Sequence, residues 1–455
     1  MSTEPDAHPA PAVTTEPATE ATTALADSLL GSYFVSAYPP FSQWTSDELP
    51  AYRSALAAPR AGRSAPFGLY VHVPFCVERC RYCYYLAVDA APRELVASYI
   101  DAVIAEAASY SGSPALTDRH VGFAYFGGGT PSLLTADQIE RLFDGLRQRS
   151  DWSQIGEITF ECAPRTTTRG RLAALRTAGV NRLSMGVQQL DDEVLERNGR
   201  VHRVEDVEQA WGLIQEAGFA TVNLDLMVGL RGETEASFFD SLERTVELGP
   251  DSITLYQLEI PLNTPLASEV RGGDTEALAS WATKNARLAT AFERLEAAGY
   301  TVRSGYTAVR DTSRHGFQYQ DAQYAGADLV GLGVASFSYL AGVHQQNLAT
   351  VPAYLQAHRD GRLPLGRAHR LSPAEQLVRE MILQLKLGAV DMARLQRKYD
   401  LVPERVFAEP LRQLETEGWL RVVDRTVELT RAGLVRVDGL LPRFYPPRHQ
   451  DVRYS

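Results

Sequence analysis

The segment Tyr70-Val-His-Val-Pro-Phe-Cys76-Val-Glu-Arg-Cys80-Arg-Tyr-Cys83 decides how the rest of the chain is read. It places three of the four cysteines of a 455-residue chain within eight positions. They directly follow Gly68–Val73, an apolar run that predicts a strand. Thiols crowded on one loop, in a large chain without an export signal, point to metal rather than to disulfides. Three thiolates can hold three irons of a cubane [4Fe–4S] cluster, leaving the fourth iron open to a small chelating molecule. For S-adenosylmethionine (SAM), the chelators are its amino and carboxylate groups, which set the sulfonium beside the cluster. Two other readings use the same residues. A zinc site normally takes four ligands and needs His72 to complete the set; the alternative is three unrelated buried thiols. Cys162, alone at the end of a predicted strand, reads as a small packing residue.

Outward from this loop, short apolar runs alternate with longer amphipathic ones, the rhythm of βα units in a parallel sheet. Strands are expected at Gly68–Val73, Val121–Phe126, Glu157–Cys162, Arg182–Val187, Val222–Met227 and Ser252–Leu258. Helices are expected at Glu94–Ser109, Ala136–Arg147, Arg169–Ala178, Val204–Ala217 and Glu235–Leu248. Thr135-Ala-Asp-Gln138 has the capping-box form, and Gly179, Gly218 and Gly249 stand where helices stop. Six units predict an α/β fold built on a partial (β/α)6 barrel; an open doubly wound sheet fits the periodicity equally well. A helical stretch then runs from Thr275 to about Ala298, followed by a strand at Tyr300–Ser304 and a Gly-dense segment, Gly331–Phe337. From Leu371 the character changes. Ser372-Pro-Ala-Glu375 opens a helical region, and Gly418–Leu429 reads as a hairpin, together a smaller, mainly helical, winged-helix-like C-terminal domain.

The chain length predicts two or three domains. A formal net charge of -11 argues against nucleic acid and against anionic membrane surfaces as partners. No apolar run approaches the roughly 20 residues of a membrane span. Residues 1–26 are rich in Pro, Thr, Ala and Glu, without the basic start or apolar centre of a signal peptide, and are expected to be a disordered acidic tail. The expected compartment is the reducing cytoplasm.

The Cys-x3-Cys-x2-Cys loop behind Tyr-x-His-x-Pro-Phe resembles that of the radical SAM superfamily. Over roughly residues 38–442 the chain is similar to the oxygen-independent coproporphyrinogen III oxidase-like group. That group also holds class C radical SAM methyltransferases, cyclopropane-forming enzymes and a haem chaperone. The resemblance implies a partial (β/α)6 barrel over residues 67–365 including its extension, and a C-terminal domain over 366–455. Residues 27–66 become an N-terminal extension covering the active site. It also implies a [4Fe–4S] cluster on Cys76, Cys80 and Cys83, two SAM molecules, a small-molecule substrate, and a flavodoxin- or ferredoxin-type electron donor.

Several residues carry their own chemistry beside the role that the resemblance implies. Gly127-Gly-Gly-Thr130 lacks three Cβ atoms, so backbone can approach a ligand or simply turn. The family pattern gives Gly128 to the first SAM, and Gly129 with Thr130 to the second. Glu161, at a strand end, can accept the ribose hydroxyls of the first SAM or form a salt bridge. Asp225, flanked by Leu224 and Leu226, needs a partner or a ligand. Gln188, Arg200 and Asp225 match contacts to the second SAM, although Arg200 could be a surface cation. Tyr70 and His72 are expected to lean on the first SAM and the cluster, and Val334 and Ala335 to belong to a loop closing over that SAM. Tyr82 is expected to stack beside the second SAM, as a candidate catalytic residue with Glu259, or else to be packing. Glu259 stands where the oxidases use a small residue, and reads as a substrate- or proton-handling group.

The leading expectation is methyl or methylene transfer. A 5′-deoxyadenosyl radical from the first SAM takes hydrogen from the methyl group of the second, and the resulting methylene radical adds to an sp2 carbon, ending in C-methylation or cyclopropanation. Tyr84 and Tyr85 favour it, because the oxidases carry another cysteine just after the triad. Oxidative decarboxylation of coproporphyrinogen III is the alternative, supported by the extent of the similarity and by Tyr38–Trp44. A haem chaperone is the third, resembled locally at Tyr256-Gln-Leu and Asn263-Thr-Pro265.

Overall fold

In a computed structural model, which describes residues 37–59 and 65–450, six strands follow one another both along the chain and across the sheet. They are β1 (Phe67–Val73), β2 (Val121–Gly128), β3 (Glu157–Cys162), β4 (Arg182–Gln188), β5 (Thr221–Val228) and β6 (Ser252–Gln257). All are parallel. A doubly wound sheet reverses its strand order at a switch point, whereas a barrel segment does not. The unbroken order therefore decides for the partial (β/α)6 barrel, which periodicity alone could not. Helices cover the strands on one side, at Arg93–Ser111, Ala136–Arg147, Arg169–Thr177, Val204–Ala217 and Glu235–Leu248. With the barrel interior on the other side, β1 is buried at six of seven positions, which is why it reads as a near-continuous apolar run.

The expected bounds hold to within two residues. Both capping boxes form, at Thr135 and Ser372. Gly218 and Gly249 end their helices in the left-handed conformation that glycine adopts without a Cβ clash. Three readings are corrected. A short helix, Asp192–Arg197, was not expected; Asp191 caps it by accepting from Glu193 and Val194 N–H. The helix expected from Thr275 begins at Trp281, because Ser280 is its cap and accepts from Thr283 N–H. The strand expected at Tyr300–Ser304 shrinks to Thr301–Val302.

The sheet continues past both ends of the barrel. Beyond β6 run antiparallel β8 (Thr307–Val309) and β7 (Thr301–Val302). Beyond β1 runs parallel β9 (Leu329–Leu332), then antiparallel β10 (Phe337–Leu340), β11 (Val343–Asn347) and β12 (Leu365–Arg370). Residues 37–59 pack on this second extension. Phe41 stacks on Phe337, Trp44 stacks on His344, and the helix Leu49–Ala57 lies against β11 and β12. The expected tail 1–26, and residues 27–36 of the extension, lie outside the described residues.

The C-terminal region folds around a core of its own that includes Leu377, Met381, Leu395, Leu414 and Val427. Its helices precede a hairpin, Leu420–Val423 with Thr426–Leu429, and Ala389–Asp391 adds a third strand. Tyr38 and Tyr306 share that core, so it is continuous with the chain's N-terminal segment and the barrel edge. No helix among the described residues is long and apolar enough to cross a membrane.

One buried ion pair fixes where β1 begins. Arg119 donates to Asp328 at 2.9 Å, with side-chain exposures of 3% and 5%, and also to the carbonyls of Ala65 and Pro66. The segments preceding β1, β2 and β9 are thereby tied together. Removing one member of a buried pair leaves the other charge uncompensated, so Arg119→Met is expected to destabilise the protein by about 3 kcal/mol in denaturant unfolding. Arg119→Met combined with Asp328→Asn is expected to recover part of that loss.

Candidate active site

The three thiols stand where the first strand ends. Cys76 is buried, whereas Cys80 and Cys83 are half-buried. The loop is tied to its neighbours through backbone. Gly129 N–H donates to Val73 C=O at 2.8 Å and Thr130 N–H to Phe75 C=O at 2.7 Å, so the glycine segment closing β2 is zipped to the start of the cysteine loop. Arg79 donates twice to Cys83 C=O, at 3.0 and 2.6 Å. Arg81 N–H reaches Asn198 C=O and Leu266 N–H reaches Arg81 C=O, bonding the loop to both sides of the barrel mouth.

Each glycine of the triplet has a separate reason. A Cβ on Gly127 would meet the Tyr125 ring at 2.7 Å and Glu161 at 2.8 Å. One on Gly128, whose φ is +114°, would strike the His72 ring at 2.5 Å. One on Gly129 would fall 2.8–2.9 Å from the backbone of Val73, Pro74 and Phe75. The first two clashes are with side chains; the third is with the cysteine loop itself.

All three cysteines line one cavity of about 580 Å³, and most of the sequence-expected residues join them there: Tyr82, Gly128, Gly129, Thr130, Glu161, Gln188, Arg200, Asp225 and Glu259. Thr130 Oγ1 donates to Cys76 Sγ at 3.6 Å, and Arg200 Nη1 to Cys80 Sγ at 3.1 Å. Arg200 is thus no surface cation; its other nitrogen donates to Gly186 C=O at 2.9 Å. Gln188 follows a register break between β4 and β5 and adopts φ +69°, a costly conformation for a residue other than glycine. Tyr82 packs against the apolar cluster of Met227, Leu230 and Leu258.

Four expected contacts are not on the cavity wall. His72 is buried behind Gly128 and bonds to Tyr70 Oη at 3.1 Å, so the Tyr70–His72 pair supports the glycine segment from behind. Burial lowers the His72 pKa to about 4, which keeps the ring neutral. Val334 and Ala335 also stand back from the cavity. Val334 N–H donates to Tyr99 Oη at 2.9 Å, Tyr99 Oη donates to His72 C=O at 2.8 Å, and Gly333 N–H donates to the buried Glu106 at 2.8 Å. Cys162, expected as a packing residue, is buried but stands on the cavity wall next to Glu161, its thiol 3.6 Å from Ser184 C=O.

Two of the carboxylates on the cavity wall, Glu161 and Asp225, are strongly affected by burial. Glu161 accepts from Tyr125 Oη at 2.6 Å and Gly128 N–H at 3.1 Å. Asp225 accepts from Asn223 at 2.8 Å and Ser184 at 3.1 Å. Burial pushes Glu161 up to about 7 and Asp225 up to about 6, against the lowering effect of those hydrogen bonds. Acids so placed favour a ligand that brings hydroxyl donors or positive charge.

The residues fit a cluster with SAM. Burial raises the Cys76 thiol and pushes Cys83 up to about 11, so the loop holds thiolates only when a cation compensates them. Among the described residues no three His, Cys, Asp or Glu side chains converge on a single ion, whereas a cubane asks each thiolate to meet a different iron. Gln188 Oε1 and Arg200 Nε are buried without a protein partner at the same cavity, as groups awaiting a polar ligand are.

Sequence reasoning missed the far wall. Trp281, Tyr306 and the segment Leu434–Gly439 of the C-terminal region line the same cavity as the cysteines. Nothing local marks them, because tertiary packing alone brings them there. Arg79, inside the motif, has no role assigned from sequence, and it clamps the Cys83 carbonyl.

Comparison with known proteins agrees with this geometry. The radical SAM superfamily profile matches residues 70–245, and that of the HemN C-terminal domain matches residues 371–436. The oxygen-independent coproporphyrinogen III oxidase of Escherichia coli is 30% identical over 405 residues, 85% of this chain and 87% of that protein. The haem chaperone HemW of Bacillus subtilis is 27% identical over 371 residues, 80% of this chain and 95% of that protein. The solved structure of the Escherichia coli oxidase superposes with a TM-score of 0.77 at 26% identity, covering 90% of this chain and 96% of that one. The chain belongs to the radical SAM superfamily, in the group of oxygen-independent coproporphyrinogen III oxidases and related haem chaperones. Its cofactors are accordingly a [4Fe–4S] cluster and SAM.

Two outcomes follow from the geometry. Gly129→Ala pushes a methyl group into the backbone of the cysteine loop, and is expected to lower iron and sulfide content after reconstitution; Gly170→Ala, with open space at its Cβ, leaves both unchanged. The folded protein keeps a proton on Glu161 at pH values where the unfolded chain has released it, between its ordinary 4.5 and about 7. Stability of the cofactor-free protein therefore falls as pH rises through that window, and Glu161→Gln is expected to make the fall shallower in denaturant titrations at successive pH values.

Proposed function

We propose that this chain is an oxidase of the coproporphyrinogen type: a hydrogen atom is removed from a propionate side chain of its substrate, the carbon radical so formed gives one electron to a one-electron acceptor, and carbon dioxide leaves as the vinyl group forms. One observation carries the reading: the similarity to the Escherichia coli oxidase spans barrel and C-terminal domain alike, and here the Leu434–Gly439 segment enters the cavity that holds the three cysteines. Methyl or methylene transfer, favoured by Tyr84 and Tyr85, finds no support in the curated relatives described above, and the oxidase reading replaces it. A haem-binding role is the second reading, favoured by the 35% identity to the Escherichia coli haem chaperone HemW over 207 residues.

When bound, the cluster and SAM supply a reductive cleavage whose product abstracts hydrogen from carbon. The chain's own residues hold and shield that chemistry. Cys76, Cys80 and Cys83 ligate the cluster, and Glu161 accepts the ribose hydroxyls of the first SAM beside Gly128. Gln188, Arg200 and Asp225, with Thr130, receive a second SAM, and Arg200 sets positive charge against Cys80. Tyr82 contributes packing on the second-SAM side, against the apolar cluster that includes Met227 and Leu258. Glu259 lies with Tyr256 and Tyr306 on the far wall, where a substrate can reach it. The 434–439 segment forms part of that wall. A flavodoxin- or ferredoxin-type protein in the cytoplasm supplies the electron.

Anaerobic incubation with reductant, SAM and coproporphyrinogen III is expected to yield carbon dioxide with 5′-deoxyadenosine and no S-adenosylhomocysteine. S-adenosylhomocysteine would return the assignment to methyl transfer, and tight haem uptake without SAM turnover to the chaperone. Asp225→Ala is expected to reduce bound SAM from two molecules per chain to one in equilibrium dialysis, with iron content unchanged.

A further inference from the structure

Among the described residues, seven large apolar or aromatic side chains expose more than a third of their surface. Four of them, Val77, Tyr84, Tyr85 and Tyr256, line the cavity of the cysteine loop. Water-exposed aromatic faces gathered in one concavity are unfavourable until something covers them. The tyrosines come as two ordered pairs. Tyr84 and Tyr85 stack with ring centroids 4.5 Å apart and planes 25° from parallel, their hydroxyls 3.3 Å apart. Tyr256 lies nearly parallel to Tyr306, at 6.3 Å and 28°.

The second pair is held from behind. Tyr306 Oη donates to Asp438, and Asp438 pairs with the fully buried Lys386 at 2.9 Å. Asp438 and Lys386 both belong to the C-terminal region and Tyr306 to the barrel edge, so the Tyr306–Asp438 hydrogen bond ties this wall across the domain boundary while the ion pair holds Asp438 in place. A phenol is uncharged at neutral pH, so the faces these rings present are neutral aromatic surface. Such surfaces take a flat aromatic ring better than an aliphatic chain, because stacking adds to the area buried.

We propose that Tyr84/Tyr85 and Tyr256/Tyr306 form the walls of a slot that receives a flat aromatic ring of the substrate. The slot places that ring in the same cavity as the thiols, and Glu259 stands beside it as the polar contact. The inference concerns the site of the proposed oxidase but does not require a tetrapyrrole: any substrate with a planar aromatic ring satisfies it.

The test titrates cluster-reconstituted, SAM-loaded protein with two fluorescent planar probes, coproporphyrin III and anilinonaphthalene sulfonate, with iron content measured for every variant. Tyr85→Ala and Tyr256→Ala are each expected to weaken probe binding about tenfold, whereas Tyr85→Phe and Tyr256→Phe, which keep the ring faces, stay within about twofold of the parent. Alanine variants that keep their iron and bind both probes as tightly as the parent overturn the slot. Phenylalanine variants as weak as the alanine ones overturn it too, since the hydroxyls would then carry the binding. A naphthalene probe that responds to the alanine substitutions supports the slot whether or not coproporphyrin III binds, since the porphyrin is planar and coproporphyrinogen III, with its sp3 bridges, is not; the oxidase reading is judged separately, by carbon dioxide release from coproporphyrinogen III. Carbon dioxide release with probe affinities unmoved by the substitutions supports that reading and overturns the slot.

Discussion

Two backbone hydrogen bonds, from Gly129 to Val73 and from Thr130 to Phe75, decide where the three thiols can be. They fasten the cysteine loop to the neighbouring strand before any side chain is considered. Because the contact is backbone to backbone, position 129 tolerates no Cβ, and a loop so held cannot drift from the barrel mouth. Everything that acts on the thiols is placed by the same tie. Thr130 reaches Cys76, His72 supports Gly128 from behind, and Glu161 occupies the space that Gly127 leaves. The loop's outer end is fastened separately, through Arg79 to the Cys83 carbonyl and through Arg81 to both Asn198 and Leu266. A cluster bound here is thus held by three cysteines whose backbone is fixed at both ends.

The cavity beyond the thiols has two ends of different character. Near the cysteines it is polar and prepared for a ligand: Gln188 in a strained conformation, Arg200 beside Cys80, and two acids whose protons are held by burial. At the far end it is walled by aromatic rings and by residues of the C-terminal region. The C-terminal domain is therefore part of the site. The Tyr306 hydroxyl, donating to an Asp438 that Lys386 holds in place, binds it to the barrel edge.

Much of this was legible in the sequence. Strand and helix positions followed from apolar periodicity because most strands are covered on both faces and most helices on one, the condition under which periodicity is strongest. The capping boxes at Thr135 and Ser372 were readable because they are local chemistry. The choice between barrel and doubly wound sheet was not legible, since it depends on strand order rather than strand content. Glu161, near the end of its strand, and Asp225, in the middle of its own, both stand on the cavity wall. Val334, Ala335, Tyr70 and His72 did not reach the cavity wall: a motif fixes where a residue lies along the chain, while burial behind Gly128 and the Glu106–Tyr99 network decides which way it is turned. Tyr306, Trp281 and the 434–439 segment had no local signal at all.

The central claim is that three cysteines leave one iron of a cubane free for SAM. The most direct measurement is electron paramagnetic resonance of the anaerobically reconstituted, dithionite-reduced protein, recorded without and with SAM. The account expects a reduced [4Fe–4S] signal whose g values change when SAM is added, and loss of that signal on substituting any one of Cys76, Cys80 or Cys83. A protein that takes up no cluster, or a cluster whose spectrum is indifferent to SAM, would contradict it.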